Sequence, residues 1–173
     1  MQCDAGCSDC CHVRLTITAV EAAAIRAHVT TWTNEQRRNL ADTGPIDRRS
    51  RAPGDGDPDG IAGGAGVLPR GIDRCAALDP AGRCKIYLAR PLVCRSHGVP
   101  IRMRRGALPV VESCHRNFTR TTPDPDCVLD QETLSATLLA VDVAEAQGTG
   151  TAGASSPPAR VDLAALLADL AVL

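Results

Sequence analysis

Four cysteines fall within nine residues of a polar stretch, Cys3-x3-Cys7-x2-Cys10-Cys11, and five more follow at Cys75, Cys84, Cys94, Cys114 and Cys127. Isolated thiols can serve as small buried hydrophobes, and Cys127 and Cys114 suit that role. Four thiols crowded into nine polar residues do not. Nine is an odd number, which argues against a complete disulfide framework. The opening Met1-Gln2-Cys3-Asp4 has no basic start and no apolar run, the marks of a secretory leader. No stretch reaches the roughly 20 apolar residues of a membrane span. These features predict a cytoplasmic chain with no membrane partner. In that reducing compartment clustered cysteines mean metal or redox chemistry rather than crosslinks.

The remaining composition strengthens the case for metal bracing. A chain of 173 residues suits one domain with some disordered length. Only Trp32, Tyr87 and Phe118 supply aromatic rings, so the core is thin. Thr18-Ala19-Val20-Glu21 has the form of a capping box, and Ala22, Ile25, Val29 and Trp32 then recur on one helical face. Thr33 caps a second short helix to about Ala41, and Asp130 caps a third with Leu134, Leu138 and Val141 on one side. Asp79-Pro80-Ala81-Gly82 reads as a turn, and Gly106 as the turn of a hairpin over 99–111. The predicted fold is mainly α, a small metal-stapled irregular domain with one short β-hairpin. Its expected organisation is a cysteine-cluster domain over 1–146 with a flexible internal loop at 44–71, a linker at 147–160, and a short amphipathic helix at 161–173.

The spacing bears on how the thiols are used. On a helix at about 100° per residue, with Cys3 at zero, Cys7 falls near about 40°, Cys10 near about −20° and Cys11 near about 80°. All four would share a face, with Cys10 and Cys11 at its edges and serving different ions, or one of them bridging. Gly6, Ser8 and Asp9 are poor helix formers, so a knuckle-like loop is an equal alternative. A four-thiolate site needs sulfurs at about 2.3 Å in a tetrahedron, and eight of the nine cysteines would fill two such sites. His97 and His115 stand beside cysteines as alternative donors. Thiolate-rich sites favour zinc, Cu(I) or iron–sulfur clusters.

Charge is unevenly distributed. Residues 83–120 hold nine Lys/Arg and one acid, whereas 121–173 hold eight acids and one Arg. Compensation of buried thiolates by arginine N–H groups ranks first as an explanation, a solvated face second, and nucleic-acid binding third. Single-strand binding usually needs stacking aromatics, and this chain is poor in them.

Taken together, Cys3-x3-Cys7-x2-Cys10-Cys11, Cys75-Ala76-Ala77-Leu78, Gly82-Arg83-Cys84-Lys85-Ile86-Tyr87 and Arg90-Pro91-Leu92-Val93-Cys94-Arg95 resemble the YkgJ-type cysteine-cluster family, a zinc- or iron-chelating domain named for a CxxxCxxCC motif. The resemblance implies metal ligation by Cys3, Cys7, Cys10, Cys11, Cys75, Cys84 and Cys94, with Cys114 matching a later, looser cysteine. Arg90, Pro91 and Arg95 match other recurrent positions, and Thr18 and Glu21 match a helix start after the first cluster. The chain departs from the pattern at Ser8-Asp9 and at Ser96-His97-Gly98. The expected function is chelation of zinc or iron ions, with no protein partner indicated. No histidine is paired with an acid at a recognisable catalytic spacing, so a binding protein is favoured over an enzyme. The alternative is an iron–sulfur cluster protein, or an accessory to a methyl-transfer or redox enzyme. Cys3-x3-Cys7-x2-Cys10 has the spacing of a radical S-adenosylmethionine motif, but Asp9 replaces the usual aromatic and the chain is short for the usual barrel.

Overall fold

Short polar side chains that satisfy free N–H groups decide where most of the described helices begin. The computed structural model describes residues 7–41, 74–148 and 159–173. Cys3, the loop expected at 44–71 and residues 149–158 of the expected linker lie outside them. Helix α1 runs over Ala19–Thr30 behind a complete capping box. The Thr18 hydroxyl accepts the Glu21 N–H at 3.3 Å, and the Glu21 carboxylate accepts the Thr18 N–H at 2.9 Å. Helix α2, Asn34–Ala41, starts in the same way, with Thr33 and Gln36 exchanging bonds of 2.9 and 3.2 Å. Lys85 Nζ closes its other end on the carbonyls of Asn39 and Leu40, where a cation meets the negative end of the helix dipole.

Helix α3 spans Leu92–Ser96, α4 Gln131–Gly148 and α5 Leu163–Ala171. The Asp130 carboxylate accepts the Thr133 N–H at 2.9 Å at the head of α4, as the sequence predicts. The expected apolar face of α4 is altered, because Val141 is exposed and Asp142 is buried in line with Leu134 and Leu138. Asp142 Oδ1 accepts the Val20 N–H at 2.8 Å and so caps α1 from a distance.

The fold class expected from sequence is corrected here. The described residues are mixed α/β, about 48% helix and 15% strand, with two small sheets rather than a single hairpin. Strands β2 (Ile101–Arg105) and β3 (Leu108–Glu112) form the expected hairpin. Arg105 pairs with Leu108, so Gly106 opens a two-residue turn at φ 64°, a conformation that suits glycine. Strand β4 (Leu129–Asp130) adds to β2 in parallel. In the second sheet β1 (Thr16–Ile17) pairs antiparallel with β5 (Val161–Asp162). Strands of two residues are too short to carry a period, which is why the sequence did not reveal β1, β4 or β5.

The core lies between α1, α2 and α5. Ile17, Ala22, Ile25, Val29, Leu40, Leu163, Leu166, Leu167 and Leu170 fill it, and Ala77 and Ile86 close one side. Cys75 and Cys84 pack against that side. Among the described residues no helix is long and apolar enough to cross a membrane.

Candidate metal centre

Backbone bonds between distant segments bring the cysteines together. Asp9–Cys11 forms a 3-10 turn, with the Cys11 N–H on the Ser8 carbonyl at 2.8 Å. The motif is therefore closer to a knuckle than to an α-helix. The Cys75 N–H donates to the Cys11 carbonyl at 2.8 Å and lays the second group against the first. Cys84 sits opposite Leu78 in an isolated β-bridge across the Asp79-Pro80-Ala81-Gly82 turn. That turn is closed by the Gly82 N–H on the Asp79 carbonyl and by Arg83 Nε on Asp79 Oδ2, both at 2.9 Å. Cys94 lies on α3, whose first N–H, from Leu92, donates to Glu21 Oε1 at 2.8 Å. Glu21 thus caps α1 with one oxygen and fixes the Cys94 helix with the other.

Cys114 follows β3. Its carbonyl accepts the Asn117 N–H at 2.8 Å, and buried Asn117 donates through Nδ2 to the Gly98 carbonyl at 2.6 Å. Beside it, Arg116 Nε donates to Asp9 Oδ2 at 2.6 Å and returns to the N-terminal turn.

The result is one cavity of about 710 Å³ whose walls include Cys7, Cys10, Cys11, Cys75, Cys84, Cys94 and Cys114. Every expected ligand among the described residues is there. His97 also lines this cavity, whereas His115 does not. Cys127 is exposed in the turn Pro125–Cys127, which overturns its reading as a buried hydrophobe. The eight described cysteines are all free thiols.

Cys10 and Cys11 have their sulfurs 3.9 Å apart. The hydrogen bond from Cys11 lowers the Cys10 thiol to about 6 and raises that of Cys11. Burial raises Cys75 and Cys84, and pushes Cys94 up to about 12. Metal-free, the cavity therefore holds mostly neutral thiols. No three Cys, His, Asp or Glu side chains among the described residues are close enough to enclose an ion. The donors are gathered but not closed around a point.

One residue of the wall, Arg90, suits thiolates. Arg90 stacks on Tyr87, 3.9 Å above the ring centroid, and its Nε is buried without a hydrogen-bond partner. Its positive charge acts on Cys84 and Cys94. A buried donor without an acceptor costs free energy, and the charge of Arg90 favours the thiolate form at both positions. Arg95 instead holds backbone, donating to the carbonyls of Arg90 and Leu88.

Most of the basic segment is engaged elsewhere, which revises the ranking given to charge compensation. Arg102 faces Asp130 at 3.9 Å, Arg104 pairs with Glu132 at 3.0 Å, and Arg105 with Glu112. The basic hairpin therefore lies against the acidic start of α4. Only Arg83, Arg90 and Arg95 of that segment line the thiol cavity. Sequence reasoning did not find Asp142, Asn117 or the second task of Glu21. Asp142 gave no signal, because an acid within an apolar pattern reads as a solvent-facing break.

The fold and this cavity define a cysteine-cluster domain, in which separate stretches of chain supply the thiols of one chamber. A model of the family "CxxCxxCC: Putative zinc- or iron-chelating domain" matches residues 2–127, and the chain belongs to that family. The motif in the family's name has two residues between its first cysteines, whereas this chain has Asp4, Ala5 and Gly6. No match was found among curated proteins or among solved structures.

Proposed function

We propose that this protein chelates zinc or iron through the thiolates of Cys3, Cys7, Cys10, Cys11, Cys75, Cys84, Cys94 and Cys114, and does so in the reducing cytoplasm. The observation that carries the reading is the convergence of seven thiols, from five stretches of chain, on one cavity. Sulfurs sharing a tetrahedral ion at about 2.3 Å stand about 3.8 Å apart. The 3.9 Å between Cys10 and Cys11 fits one edge of such a site, so the two adjacent cysteines can serve the same ion. This favours a shared ion over the separate ions that a helical motif implies. Eight thiolates would complete two closed sites, which leave no open coordination position for Lewis-acid chemistry. The role is then sequestration or bracing rather than catalysis. Because the donors are gathered but not closed, binding would draw the walls inward and couple to stability.

Anaerobic purification followed by metal analysis and a visible spectrum tests this. A colourless protein with about two zinc ions, or one holding iron without sulfide, supports the reading. Brown protein with labile sulfide moves it to an iron–sulfur cluster on the same thiols. A folded, metal-free protein that takes up neither ion, with freely reactive thiols, overturns it.

A further inference from the structure

Asp9 stands between Cys7 and Cys10 in the motif, yet its carboxylate is engaged by the far side of the molecule. Oδ2 accepts Arg116 Nε at 2.6 Å and faces His115 Nε2 at 3.8 Å. Arg116 is two residues from Cys114, and the next residue, Asn117, is anchored to the Gly98 carbonyl beside His97. A single ion pair therefore ties the turn bearing Cys10 and Cys11 to the segment bearing Cys114, across 107 positions of sequence. Both side chains are about a third exposed, so the pair contributes little to overall stability.

We infer that Asp9 and Arg116 are positioning residues, a clasp that holds the Cys7–Cys11 turn and Cys114 at the separation a shared metal requires. This rests on the chelating function proposed above. Groups that orient ligands without touching the ion typically account for about 10–100-fold in metal affinity. The contact joins opposite charges, so exchanging the two should preserve the tie.

The test compares the full chain with Asp9→Asn, Arg116→Gln and the exchanged pair Asp9→Arg/Arg116→Asp. Zinc affinity is measured by competition with a colorimetric chelator. In parallel, metal-free protein is treated with a short bis-maleimide, and crosslinks between the peptide holding Cys7–Cys11 and that holding Cys114 are counted by mass spectrometry. Each single variant is expected to weaken zinc binding by about 10–100-fold, to lose that crosslink, and to melt metal-free like the wild type. The exchanged pair is expected to recover both readouts. Single variants that bind zinc and crosslink like the wild type overturn the clasp. So does an exchanged pair no better than the singles, since Asp9 would then act as a donor in its own right. If the wild type binds no zinc but the crosslink is lost and recovered as described, the clasp stands and chelation fails. If metal-free single variants lose their helical circular dichroism, the pair holds the fold instead, and the inference is overturned.

Discussion

Arg90 carries the cost of a buried donor without an acceptor. Its buried Nε lacks an acceptor while its guanidinium lies over Tyr87 and acts on Cys84 and Cys94. Replacing it with Met removes both the unmet donor and the charge. Arg90→Met should therefore melt at or above the wild type when metal-free, yet bind zinc about tenfold more weakly. Calorimetry and chelator competition on the same preparation read the two effects. The thiols give a pH dependence whose sign follows from burial. Cys11, Cys75, Cys84 and Cys94 are raised in the fold, whereas unfolded thiols ionise near about 8.5. Above about 8.5 the unfolded chain loses protons that the fold retains, so stability falls as pH rises toward the value of about 12 for Cys94. Cys10, lowered to about 6, acts oppositely and adds stability between about 6 and 8.5. Urea unfolding of metal-free protein is expected to show greatest stability near pH 8 and a decline beyond it. The sequence singled out these thiols as a group, and the described ones line one cavity. It did not give their pairing, because which sulfur neighbours which depends on the turn at Asp9–Cys11 and on the Cys11–Cys75 backbone bond.

The head of α1 joins three elements. Thr18, Glu21 and Asp142 satisfy the N–H groups of Glu21, Thr18 and Val20 there, and Glu21 also holds the first N–H of α3. Glu21→Ala leaves two N–H groups without their partner, an expected loss of about 1–3 kcal/mol. Because α3 carries Cys94, metal affinity should fall along with the melting temperature. Thr18→Ala should cost about 1 kcal/mol with little change in affinity. Equilibrium unfolding set beside a zinc titration separates the two variants. The capping boxes at Thr18 and Thr33, the Asp130 cap and the Gly106 hairpin were all legible, since each is decided within a few residues. Strands β1, β4 and β5 were not, since each is defined only by a partner far along the chain. The same locality explains Asp142, whose use is set by Val20 of another helix.

In the molecule as a whole the core and the thiol chamber share a wall. Cys75 and Cys84 pack on the cluster that α5 completes with Leu163, Leu166, Leu167 and Leu170. Leu167→Ala should cost about 2–5 kcal/mol through lost burial and the cavity left behind. If the shared wall transmits that loosening, zinc binding should restore part of the lost melting temperature, as a ligand of the folded state does. The charge imbalance along the sequence is likewise settled only in three dimensions. Arg102 and Arg104 meet Asp130 and Glu132 across the β2–β4 pairing, so segments of opposite sign neutralise one another. Summing charge over a segment finds the imbalance but not its partner. The pairing of β1 with β5 has a further consequence for synthesis. Helices α1 and α2 emerge from the ribosome before α5, whose leucines pack against them. The nascent chain therefore carries the core face of α1 and the wall beneath Cys75 and Cys84 uncovered until α5 has been made, so metal acquired before then would meet a chamber whose supporting core is incomplete.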